Sequence, residues 1–192
     1  MKNLVRALGL ATAVVGGATT AQAATVVFGD LLSGTGAPAS LDFASLQYDI
    51  VGSDVNFTLS AYGLDLFAGT TPFIGSMAVD GTKTGSVSNV SGGVAEVELK
   101  NGGGPGGTWE FRFNFGQGQD RLTDNELVSW TWVGGASNFT EFALHVQGLN
   151  YDGTTSAWYT EGTPPPEVPV PGTLGLLGLG LAGLGAVRRR KS

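Results

Sequence analysis

Thr108-Trp109-Glu110-Phe111-Arg112-Phe113-Asn114-Phe115 sets an aromatic ring at every second position and a polar or charged side chain between each pair. Successive side chains of an extended strand point to opposite faces, so this period of two gathers Trp109, Phe111, Phe113 and Phe115 on one side. The stretch reads as a strand whose four-ring face belongs to a core. The same rhythm recurs before and after it. Val55, Phe57, Leu59 and Ala61 alternate with Asn56, Thr58 and Ser60, and Phe142, Leu144 and Val146 stand against Glu141, His145 and Gln147. Further strands are expected at 26–32, 46–51, 74–79, 94–100, 127–133 and 157–160, divided by Gly, Asn and Asp, with no helical period longer than a turn or two. Nine strands with polar outer faces predict an all-β body. The expected architecture is an antiparallel β-sandwich, jelly-roll-like, of two packed sheets, with a partly closed barrel as the alternative.

The chain has 192 residues, 42% of them hydrophobic and 14% charged. That is one domain's worth at most, with enough apolar side chain to exclude wholesale disorder. There is no cysteine, so no disulfide staples the fold and no thiol can act as a nucleophile. Charge is segregated. Six of the ten basic residues lie at the ends, leaving Lys83, Lys100, Arg112 and Arg121 in the middle with all sixteen acids, a formal charge of -12 there. So acidic a body repels nucleic acid, which is excluded as a partner.

The ends read as addresses. Lys2 and Arg6 precede an uncharged stretch at 7–18, and Ala21-Gln22-Ala23 places small residues where a signal peptidase reads, so cleavage after Ala23 is expected. At the other end, Thr163-Pro164-Pro165-Pro166-Glu167-Val168-Pro169-Val170-Pro171 can make neither helix nor central strand, because proline lacks the amide donor and fixes φ. Residues 173–187 carry no charge and are rich in Leu and Gly. As a helix they reach about 22 Å, short of a hydrocarbon core of about 30 Å, so thinning of the bilayer or residues 168–172 must help a span. Arg188, Arg189, Arg190 and Lys191 then mark the cytoplasmic side.

A short proline motif, a Gly-Thr-Leu, a glycine-leucine helix and a terminal basic cluster, in that order over 168–191, resemble the PEP-CTERM sorting signal of Gram-negative bacteria. The sorting motif falls on Val168, Pro169, Val170, Pro171 and Gly172, with Val170 where the family has glutamate. The resemblance implies an exosortase-type processing enzyme as partner, transient anchoring in the inner membrane, release to the cell surface or beyond it, and association with exopolysaccharide and biofilm. The expected division is a signal peptide at 1–23, a β-sandwich domain at 24–162, a Pro-rich linker at 163–172 and a transmembrane helix with basic tail at 173–192.

Within the body, chemistry is sparse. His145 is the single histidine and sits on the polar side of a strand, with no Gly-x-Ser-x-Gly elbow anywhere, so no catalytic residue is assigned and the chain is read as no enzyme. One histidine without cysteine cannot supply the usual zinc ligands. Asp120, Asp124, Asn125 and Glu126 form an oxygen-rich turn of a kind that suits calcium. Trp130, Trp132, Trp158 and Tyr159 would offer flat faces to sugar rings if they line an exposed sheet, whereas the shared face of Trp130 and Trp132 places that pair in the core. A carbohydrate-binding module is therefore the alternative function, with an extracellular hydrolase behind it. Gly102-x-Gly104-x-x-Gly107 has dinucleotide-loop spacing, but a strand follows it where a helix would have to hold the pyrophosphate.

Overall fold

The computed structural model describes residues 22–162 apart from 95, 108, 117, 119 and 136–138. The signal segment with Ala21, the sorting motif at Val168–Gly172, the predicted membrane helix and the basic residues Arg188 to Lys191 lie outside the described residues. Among those described, no helix is long and apolar enough to cross a membrane.

Ten strands follow in chain order: β1 (Gln22–Ser33), β2 (Ser40–Val51), β3 (Asp54–Ala61), β4 (Gly69–Gly81), β5 (Ser86–Gly92), β6 (Val97–Asn101), β7 (Phe111–Phe115), β8 (Leu127–Val133), β9 (Phe139–Tyr151) and β10 (Thr154–Glu161). They pair antiparallel throughout, in one sheet of order β5-β8-β3-β2-β1-β10-β9-β4-β7-β6. The all-β, antiparallel expectation is met. The two separate packed sheets are not: one sheet curls round its own core, so that β3 and β8 face β7 while β1 and β10 carry the ladder between the halves. The edge strands β5 and β6 approach within 8 Å, but among the described residues no ladder joins them, which leaves a nearly closed barrel.

Inward residues from all round the sheet meet in one cluster. Phe57 stacks on Trp130 with centroids 5.0 Å apart, Phe113 lies 5.4 Å from Trp130 and 5.8 Å from Trp132, and Phe111 lies 5.1 Å from Trp132. Such ring pairs add about 0.5–1.5 kcal/mol each beyond the area they bury. On β7 the rings at 111, 113 and 115 do face the core, but the expected fourth does not. Trp109 lies outside the strand and packs with Ala78, Ala143 and Trp158 in a small second cluster. Ala78 and Ala143 alternate with the core residues Met77, Val79, Phe142 and Leu144, so Trp109 is folded over the opposite, outer face of the sheet.

The two core tryptophans differ in one polar detail. Trp132 Nε1 donates to the Thr84 carbonyl at 2.7 Å, whereas Trp130 Nε1 is buried without a partner among the described residues. An unsatisfied buried donor costs about 1–3 kcal/mol. Trp130→Phe removes that cost along with some ring volume and is expected to change stability by less than about 1.5 kcal/mol. Trp132→Phe loses both volume and a hydrogen bond, and in parallel urea melts it should unfold at clearly lower denaturant than Trp130→Phe.

Candidate functional site

A concavity with a volume of about 550 Å³ lies on the outer face of β10, β9, β4 and β7. Register builds its floor. Trp158 pairs with His145, His145 with Ser76, and Ser76 with Asn114, so these four side chains form one row across four strands. At a strand spacing of about 4.8 Å the row runs roughly 14 Å. The alternation of β9, β10 and β7 sends Leu144, Val146, Ala157, Tyr159, Phe113 and Phe115 inward and leaves His145, Trp158 and Asn114 outward. On β4 the alternation changes phase. Ile74 and Met77, three apart, are both fully buried, because the register shifts between Ile74 and Ser76, and that bulge delivers Ser76 to the outer row.

Arg112 stands beside Asn114 on β7. Its Nε donates to Asn114 Oδ1 at 2.8 Å and its Nη1 to the Gly102 carbonyl at 2.6 Å. The glycine loop after β6 permits this: a Cβ on Gly103, which has φ +91°, would overlap the Arg112 guanidinium, and one on Gly104 would overlap the Trp109 ring. The loop with dinucleotide spacing thus serves to let two large side chains lie against it. Arg121 enters from the loop between β7 and β8, its guanidinium carbon 4.3 Å above the Phe73 ring. His145 stacks on Trp158 with centroids 4.4 Å apart and planes 7° from parallel. Burial, and then the positive charge of Arg112, push its imidazole down to about 4, so it is neutral at pH 7.

The other residues singled out from the sequence are placed differently. Trp130, Trp132 and Tyr159 are buried in the core, so none has a ring face for a sugar; Tyr159 donates its hydroxyl to the Pro38 carbonyl at 3.2 Å, and burial holds its phenol above the usual range. Of the four aromatic residues only Trp158 reaches the outer face. In the acidic turn, Asp124 Oδ1 accepts from the Leu64 amide at 2.8 Å and its Oδ2 from Asn125 at 2.6 Å, while Glu126 Oε2 accepts from the amide and hydroxyl of Thr123 at 2.7 and 2.8 Å. Asp120 is exposed. Among the described residues no three acidic or histidine side chains gather as metal ligands; these carboxylates fix the turn and its contact with residue 64. The groove itself is assembled from positions 76, 112, 114, 145 and 158, whose only shared sequence signal is that each takes the polar phase of a strand or borders a glycine loop.

No curated protein matches the chain. A solved structure described as "pH-induced modulation of Streptococcus parasanguinis adhesion by Fap1 fimbriae" is similar at a TM-score of 0.42 with 10% identity, over 78% of this chain and 99% of that one. The model of the family described as the PEP-CTERM protein-sorting motif matches residues 167–191. The chain therefore carries, at its C-terminal end, a sorting motif that implies export, transient membrane anchoring and processing by an exosortase.

Proposed function

We propose that the chain is a non-enzymatic protein of the cell surface or extracellular matrix, tethered for a time in the inner membrane and associated with exopolysaccharide or biofilm. The match at residues 167–191 is the observation that supports this reading. In it, signal peptidase removes 1–23, residues 24–162 are the delivered body, 163–172 is the linker that holds the processed motif, and 173–192 is the temporary anchor. Removal after Ala23 keeps the β1–β2 ladder from Ala24 opposite Tyr48 onward.

The prolines of the motif are the direct test. Pro169→Ala with Pro171→Ala is expected to leave most of the protein at full length in the inner-membrane fraction on immunoblots of fractionated cells, where the unaltered chain is shortened and moves outward. Unchanged release of the double variant would contradict the reading.

A second reading, a carbohydrate-binding body, is favoured by the outer groove. It presents Trp158 beside amide and hydroxyl side chains in a volume within the usual range for small-molecule sites.

A further inference from the structure

Building on the carbohydrate-binding reading, we propose that the outer groove binds an acidic saccharide, holding its carboxylate with Arg112 and Arg121 and its hydroxyls with Asn114 and Gln147. Charge carries the inference first. Of the four basic residues between the ends of the chain, two line this one cavity, and none of the acids among the described residues does. Neither arginine is in an ion pair among the described residues; the pair found there joins Lys100 to Glu98 at 3.0 Å, on the surface. Two cations facing one concavity without a counter-ion repel each other, and an anionic ligand removes that repulsion.

Preorganisation carries it second. Arg112 is braced through Nε and Nη1, which leaves its Nη2 amino group without a partner among the described residues. Arg121 is laid over Phe73. Guanidinium groups held this way lose little freedom on meeting a carboxylate and can bind it through paired hydrogen bonds. Asn114 spends its Oδ1 on Arg112 and retains its amide donors, Gln147 lies one outward position along β9 from His145, and the Trp158–His145 stack supplies an apolar wall. Hydroxyl-binding amides, a ring wall and a carboxylate clamp along a row of roughly 14 Å are what a short run of uronate units requires. The rest of the acidic surface repels such a polymer and confines it to the groove.

The test is calorimetric titration of the full chain, kept in mild detergent at pH 7 and low salt, with trigalacturonate, a neutral trisaccharide and inorganic sulfate. Trigalacturonate should bind at least about tenfold more tightly than either of the others, and Arg112→Gln or Arg121→Gln should each weaken it about tenfold. Arg112 also braces the glycine loop, so a loss of melting temperature would compromise that variant; Arg121→Gln, on a surface loop, keeps the proposal open to refutation. Sulfate bound as tightly as trigalacturonate would overturn it in favour of a bare anion site. Equal binding of the neutral trisaccharide, lost in Trp158→Ala, would overturn the acidic preference while leaving the carbohydrate reading intact. Absence of binding by any of the three would overturn both, and unaltered cleavage in the tail would still leave the sorted surface protein standing.

Discussion

Replacing Trp132 by alanine is expected to cost about 3–5 kcal/mol of folding stability, the range for deleting a large aromatic from a packed core. The ring is fully buried between Phe111, Phe113 and Phe139, and its Nε1 fastens β8 to residue 84, in the turn that leads into β5. The surroundings have little means of collapsing into the void, because β8 is held by β3 on one side and β5 on the other. With no disulfide to limit the unfolded chain, the loss is a large part of the roughly 5–15 kcal/mol that stabilises an ordinary domain. Thermal melts of the mature body should show a drop on the order of 10 °C or more; a drop of only a degree or two would mean that the curled sheet does not close over this residue.

Acidification should destabilise the body through His145. The imidazole is held at about 4 by burial and by Arg112 on β7, with Arg121 also facing the groove and Ser76 and Trp158, both uncharged, beside it. In the unfolded chain it titrates near 6.5. Between those values the unfolded state binds more protons, so stability rises with pH there: it is fully present above about 6.5 and is lost as pH falls towards 4. Discounted for the partial exposure of the ring, the loss is roughly 1.5–3 kcal/mol. Glu161, raised by burial and then by Glu141, works in the opposite direction and offsets part of the loss, while Glu110, lowered chiefly by the Gly81 amide, works in the same direction as His145. His145→Gln should therefore flatten the dependence of melting temperature on pH between 6.5 and 4.5. The same slope in wild type and variant would assign the effect elsewhere.

What could be read from the sequence followed from period two. Residues 127–133 were expected as a strand and form β8, Leu127–Val133, because alternating Val128, Trp130 and Trp132 leave no other way to bury three large side chains together. The strand at 108–115 came out shorter because the rule gives the phase of a strand but not where the backbone leaves it; the glycine loop turns Trp109 over to the outer face. β5 was missed outright. Its Ser-Val-Ser-Asn-Val-Ser-Gly offers only two small apolar residues, and a bulge with Asn89 at φ 53° breaks the alternation. The groove was illegible for a different reason. Trp158, His145, Ser76 and Asn114 come from four strands, and only the register between those strands sets them in a row. Sequence periodicity says which face each residue takes and nothing about its neighbour across the ladder. The tail was legible because its signal is linear: order and spacing along the chain are themselves what the sorting-motif family model matches at residues 167–191.

The mass of the protein recovered from the cell surface tests the central claim most directly. A mature chain that begins near Ala24 and ends between Thr163 and Gly172 is the predicted result. A surface form that still carries Arg188 to Lys191 would contradict it.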